Sequence, residues 1–372
     1  MTTERQVQRD GAVDALRGLA IGAMVWGHLG IAIYDPDGRG QPSTTLEAIP
    51  PLWTEVVGGL APALFLFVCG MMVQRASDHR RGGLKHQLLR MVALLGVGAT
   101  IDVLFWRIRP FTTVDVLYCI ALTLPITHLV ATRTPRTVKW LAPGLVFAVT
   151  PILQRLLGYS DYPIEMSLSG RTFVEVPNQT SILNHWLVDG WFPLFPWLGF
   201  ALLGAVVHER RGAHRDDVPR HPKTDRGLLG VGMLALGNSL VLGWPDASVR
   251  VEARLIAGGA FMPPDAGYLL ASIGAALLLL VVLDTLAPSA ILAPLRVVGR
   301  HPLFIYVVHF PLVKVMAKLL PRRVTLIPAI ALILVALGAL AVSAILSRRL
   351  FRGVWRRVQS SPRTSGVDGS RK

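Results

Sequence analysis

The stretch VDALRGLAIGAMVWGH, Val13 to His28, decides how the chain is read. It sits in an apolar run over about residues 12–34, long enough to cross a bilayer as helix. Yet it carries Asp14, Arg17 and His28. A charge deep in a spanning helix costs about 2.5–3.5 kcal/mol on insertion scales, so such groups face a partner or a hydrated cavity. At 100° per residue, Asp14, Arg17, Ile21, Met24 and His28 fall on one stripe. Asp14 and Arg17 stand one turn apart and can pair. His28 lies about 16 Å beyond Arg17 along the axis. The stripe is expected to line a passage between the faces, with an ion pair at one end and an imidazole at the other. In the plainer alternative, Arg17 snorkels to the headgroups, Asp14 caps the helix start and His28 sits in the interface.

The whole chain agrees with a membrane setting. Of its 372 residues 52% are hydrophobic and 16% charged, with mean hydropathy +0.49; soluble chains carry about a quarter charged residues. The predicted fold class is all-α, a polytopic integral membrane protein with about ten transmembrane helices. The spans fall at about 12–34, 53–74, 87–106, 113–131, 138–157, 188–207, 227–245, 266–287, 301–320 and 324–347. Gly237, Asn238 and Ser239 make the seventh the weakest. The first is read as retained: it is long, carries charges and lacks a small-residue cleavage site before YDPDG.

Basic residues gather in alternate loops. With the N-terminus inside, inner segments hold about 27 of the 38 Lys and Arg. Both termini are therefore predicted cytoplasmic, with PRR at 321–323 an outer exception. The net charge of +15 reads as orientation, and nucleic acid is not a predicted partner. Residues 1–347 form the transmembrane domain. Residues 348–372 form a basic cytoplasmic tail, partly disordered, whose SRRLFRGVWRRV stretch suits the inner leaflet. The outer segments 158–187 and 244–265 suit a lid or substrate wall. Cys69 and Cys119 lie in spans without metal-ligand spacing, and no metal or redox cofactor is indicated.

A second stretch, VGRHPLFIYVVHFPLV from Val298 to Val313, carries Arg300, His301, Tyr306 and His309. Tyr306 and His309 share a face, and His309 lies about 13 Å inside the helix. Pro311 frees the carbonyl of Val307, which can join a polar site. Histidine suits proton transfer near neutral pH. On the outer side Asp102 and Asp115 are candidates to hold an acceptor, although Arg107 and Arg109 between them read as neutralising partners. Asp189 and His185 could serve an acceptor too. Trp191 and Trp197 read as interface-belt aromatics, and His79, His86, His208, His214 and His221 as solvated groups in basic loops.

VDALRGLAIGAMVWGH, APALFLFVCG at 61–70, VDVLYCIAL at 114–122, WFPLFPWLGFALLGA at 191–205 and GRHPLFIYVVH at 299–309 occur in an order that resembles a known family. They are similar to polytopic acyltransferases of the heparan-α-glucosaminide N-acetyltransferase type and their bacterial relatives. The opening D-x-L-R-G…H also resembles membrane enzymes that O-acylate surface polysaccharides. The resemblance implies transfer of an acyl group, acetyl foremost, from cytoplasmic acyl-CoA to an extracytoplasmic glycan or other small acceptor. Asp14, Arg17 and His28 match the opening motif and His309 the closing one. The animal enzyme's active-site histidine follows its opening motif, but Tyr34 to Trp53 holds none, so that assignment does not transfer. The expected roles follow: Arg17, oriented by Asp14 and joined by Arg300, near the CoA phosphates; His28 or His309 as general base; Asp102, Asp115 and Tyr306 toward the acceptor. The lipid bilayer is the other expected partner, and a homo-oligomer is compatible with the sequence. A transporter or flippase, which would move substrate without CoA, is the alternative class.

Overall fold

The structure, a computed structural model, describes residues 10–35, 52–79, 83–158, 168, 181–213, 222–242, 264, 266–287, 289–320 and 322–360. Among them the regular elements are all helical, and the chain is an all-α polytopic membrane protein. In chain order the α-helices are α1 (Gly11–Ile33), α2 (Leu52–Asp78), α3 (Leu84–Ile101), α4 (Val116–Arg133), α5 (Arg136–Leu157), the short α6 (Ile182–Asn184), α7 (Leu194–Ala213), α8 (Pro222–Leu242), α9 (Ala266–Leu286), α10 (Ala293–Gly299), α11 (Pro302–Leu319) and α12 (Leu326–Ser360). Wider π-helical turns extend α3 (Asp102–Trp106) and α6 (His185–Asp189).

Among the described residues, eight helices are long and apolar enough to cross a membrane. A ninth span is made if Ile182–Asp189 and Leu194–Arg211, bent by 44°, count together. The remaining candidate, α8, forms a helix but does not reach that apolar measure. Its glycines serve packing instead. A Cβ on Gly237 would stand 2.6 Å from the Gly267 carbonyl of α9, so α8 lies flush against that neighbour. Small residues are how helices approach closely where lipid supplies no hydrophobic drive.

The centre is α1, two-thirds buried in its apolar window, as is α2; α3 and α5 are 17% buried and turn leucines outward. A helix covered nearly all round can hold polar groups only if the neighbours answer them. Its N-cap is Asp10, whose Oδ1 accepts from the Val13 N–H at 3.2 Å. The alternative that gave this task to Asp14 is thereby corrected, and Asp14 is left to pair elsewhere. At the other end, Tyr34 bridges to Val324, and the Asp35 N–H donates to the Val324 carbonyl at 2.8 Å. This ties α1 to the loop between α11 and α12. Arg323 in that loop is buried beside Asp35, a counter-charge for one of the two arginines of the PRR stretch; Arg322 is exposed.

Helix α12 continues to Ser360, so residues 348–360 extend the last span as helix. The tail beyond, His214, His221 and most of segments 158–187 and 244–265 lie outside the described residues.

Candidate active site

The stripe of α1 and the face of α11 meet at their histidines. His28 Nδ1 lies 2.8 Å from His309 Nε2. The rings are 7° from parallel with centroids 5.0 Å apart. His309 has no exposed surface, whereas His28 keeps some. The Nδ1–H of His309 donates to the Tyr306 carbonyl one turn back, at 2.5 Å. The carbonyl engaged by the ring is thus Tyr306's, one residue before the Val307 carbonyl freed by Pro311. Phe310 packs against both imidazoles, and Trp106 and Phe105 close over Phe310.

Tyr306 and Asp115 also meet. The tyrosine hydroxyl donates to Asp115 Oδ2 at 2.7 Å, and Asp115 Oδ1 accepts from the Val116 N–H at 2.6 Å, capping α4. Beside them the Tyr118 hydroxyl donates to Asp102 Oδ2 at 2.5 Å, leaving Asp102 Oδ1 buried without a side-chain partner among the described residues. The expected neutralisation by Arg107 and Arg109 is corrected: both arginines are exposed, and tyrosine hydroxyls answer the two carboxylates. The connecting loop holds Arg107, Phe111 and Val114 at φ of 58°, 70° and 57°. That region is rare for non-glycine residues and an outlier for a β-branched one. Bonds from the neighbouring segment hold the loop in this shape: the Trp191 and Phe192 N–H groups donate to the carbonyls of Thr113 and Val114, and His185 Nδ1 to that of Thr112.

At the N-terminal end of α1, Arg17 Nη1 donates to Asp14 Oδ1 at 3.2 Å and to the Gly299 carbonyl at 2.9 Å. Arg300 Nε stands 3.7 Å from Asp14 Oδ2. The three predicted residues therefore converge, because α10 lies directly on α1. A Cβ on Gly299 would fall 1.9 Å from the Asp14 carbonyl, and one on Gly18 2.1 Å from that of Leu295. Alongside, Arg211 bridges Asp10 and Asp284, and Arg226 also reaches Asp284 at 3.2 Å. Burial works to raise the Asp10 carboxyl, but the Arg211 guanidinium and the Val13 N–H prevail and hold it below its ordinary range.

Between the two clusters, Ile21 and Met24 are packed in the core. The expected passage is corrected accordingly: the stripe is polar at its ends and close-packed hydrocarbon in the middle.

Of the remaining candidates, His185 and Asp189 are buried under the loop before α4, and His185 Nε2 has no partner among the described residues. Trp197 is not a belt residue: it is fully buried among Phe192, Phe200 and Tyr268. Trp191 stacks edge-on against Trp106. His79 and His86 are exposed, but His208 is largely covered and faces Asp78 at 3.9 Å rather than solvent. Sequence reasoning passed over Tyr118 and Lys314. Tyr118 sits three residues after Asp115, a helical spacing that points both at one neighbourhood. Lys314, an ionisable group inside a span, donates to the Phe105 carbonyl in the π turn at 2.6 Å. Among the described residues no three His, Cys, Asp or Glu converge as metal ligands.

A sequence profile described as "Heparan-alpha-glucosaminide N-acetyltransferase, catalytic" matches residues 9–242, which include His28, Asp102 and Asp115 but end before α11. No curated protein matches the chain.

Proposed function

The chain belongs to the heparan-alpha-glucosaminide N-acetyltransferase catalytic family, and from that premise we propose that it moves an acyl group, acetyl foremost, from cytoplasmic acyl-CoA to an extracytoplasmic acceptor such as a cell-envelope sugar. The observation that carries the reading is the contact of His28 with His309 at 2.8 Å inside the span bundle. Two imidazoles buried among membrane-spanning helices need a reason, and a proton-accepting site supplies one.

In this reading the pair takes the proton of the acceptor's hydroxyl or amine as its oxygen or nitrogen bonds the thioester carbonyl carbon. The carbon–sulfur bond breaks, CoA leaves as thiolate, and the proton returns to it as thiol. Arg17 and Arg300, at the inner end, meet the CoA phosphates; Asp14 holds both guanidinium groups in place. The roughly 16 Å from Arg17 to His28 is then the distance the pantetheine arm bridges. It does so past Ile21 and Met24, so donor entry requires α1 and its neighbours to part. The protein acts in the cell membrane with both termini in the cytoplasm.

The test is purified protein incubated with radiolabelled acetyl-CoA and a panel of cell-envelope glycans. Glycan-dependent CoA release is expected, with His28→Ala and His309→Ala each slower by about 10²–10⁴. Substrate movement into liposomes with no CoA chemistry would replace this reading with a transporter.

A further inference from the structure

We propose that Asp115 and Tyr306 are positioning residues that fix the tautomers of the histidine pair and thereby make His28 Nε2 the proton-accepting atom. The chemistry rests on the acyltransferase reading; the tautomer assignment stands on geometry alone. A carbonyl oxygen only accepts, so the bond from His309 Nδ1 to the Tyr306 carbonyl places the hydrogen on Nδ1. In a neutral ring the Nε2 of His309 is then a bare lone pair. Its neighbour at 2.8 Å, His28 Nδ1, must donate to it. The lone pair of His28 is left on Nε2, which takes no partner among the described residues. Accessibility points the same way, since His28 keeps exposed surface and His309 has none. His309 thus orients, and His28 meets the acceptor.

The direction of this chain depends on where one carbonyl is held. That carbonyl belongs to Tyr306, whose hydroxyl is pinned by Asp115, itself pinned by the Val116 N–H at the start of α4. The turn of α11 that presents the carbonyl is therefore bolted to a second helix. Both Asp115 oxygens are engaged and both residues are buried, which suits support of the pair better than contact with an acceptor.

The test reads tautomers directly. Protein labelled with ¹⁵N-histidine, with signals assigned through His28→Asn and His309→Asn, is examined in lipid by solid-state NMR, where the two neutral tautomers give separate shifts. Both rings are expected in the Nδ1–H form. Tyr306→Phe should populate the Nε2–H form, and Asp115→Asn, which leaves one acceptor oxygen for two donors, should do so in part. With acetyl-CoA and acceptor, Tyr306→Phe should lower kcat about 10²-fold at unchanged KM. An Nε2–H tautomer at His28 in the unmodified protein overturns the proposal. So does wild-type tautomer balance in both variants. Tautomers that respond as stated in a protein that transfers no acyl group support the positioning and overturn only the enzymatic reading.

Discussion

A single ionisable side chain in hydrocarbon is costly because water is absent, and the groups on α1 and α11 are answered by several devices. His28 and His309 share a hydrogen bond, Tyr306 gives its hydroxyl to a carboxylate, and Arg17 divides one nitrogen between Asp14 and a backbone carbonyl. Arg17→Lys tests the last arrangement, because an ammonium is a point charge without the planar fork. If the guanidinium meets CoA, KM for acetyl-CoA should rise about tenfold with kcat unchanged, which corresponds to about 1.4 kcal/mol of lost ground-state binding. An unchanged KM in Arg17→Ala would make the arginine structural only. Asp10 supports a pH prediction. Its folded pKa is depressed, so its stabilising contribution is fully present above the unfolded carboxylate value and fades as pH falls through the folded one. Asp10→Asn should therefore lower the thermal midpoint in detergent at pH 7, and the gap from wild type should narrow below about pH 4.

Helices α1, α10 and α11 behave as one positioning unit. The seven residues of α10 lie against α1 through Gly18 and Gly299, and α11 begins three residues after Gly299. Displacing α10 must therefore carry His309 with it. Gly299→Val adds a branched side chain where even a Cβ meets backbone at 1.9 Å. The expected cost is about 1–3 kcal/mol of overpacking, seen as a lower thermal midpoint together with slower transfer. Gly22 of α1 is the contrast, since a Cβ there would meet no atom within 4 Å. Gly22→Ala should therefore be neutral or stabilise by up to about 1 kcal/mol. A Gly299→Val protein as stable and active as wild type would show that α10 does not set the place of His309.

For the molecule as a whole, orientation is the open physical prediction. A reporter that fluoresces only in the cytoplasm should light when fused to either terminus and stay dark when inserted into residues 107–114, the loop that precedes α4. The reverse pattern would invert the roles of the two clusters. What the sequence determined by itself was the medium and the periodicity: long apolar runs, and Asp14, Arg17 and His28 on one stripe of α1. These are local properties, set by the bilayer's demand that each spanning segment satisfy its own backbone. Only the tertiary structure decided the partners. His28 and His309 are 281 positions apart, Arg17 finds a carbonyl 282 positions away, and Tyr306 finds Asp115 across 191. The same long-range packing buried Trp197 and closed the middle of the stripe around Ile21. A stripe states which face of a helix is polar; which neighbour answers it depends on how side-chain volumes and glycine contacts let the helices approach, and that is settled only when they pack.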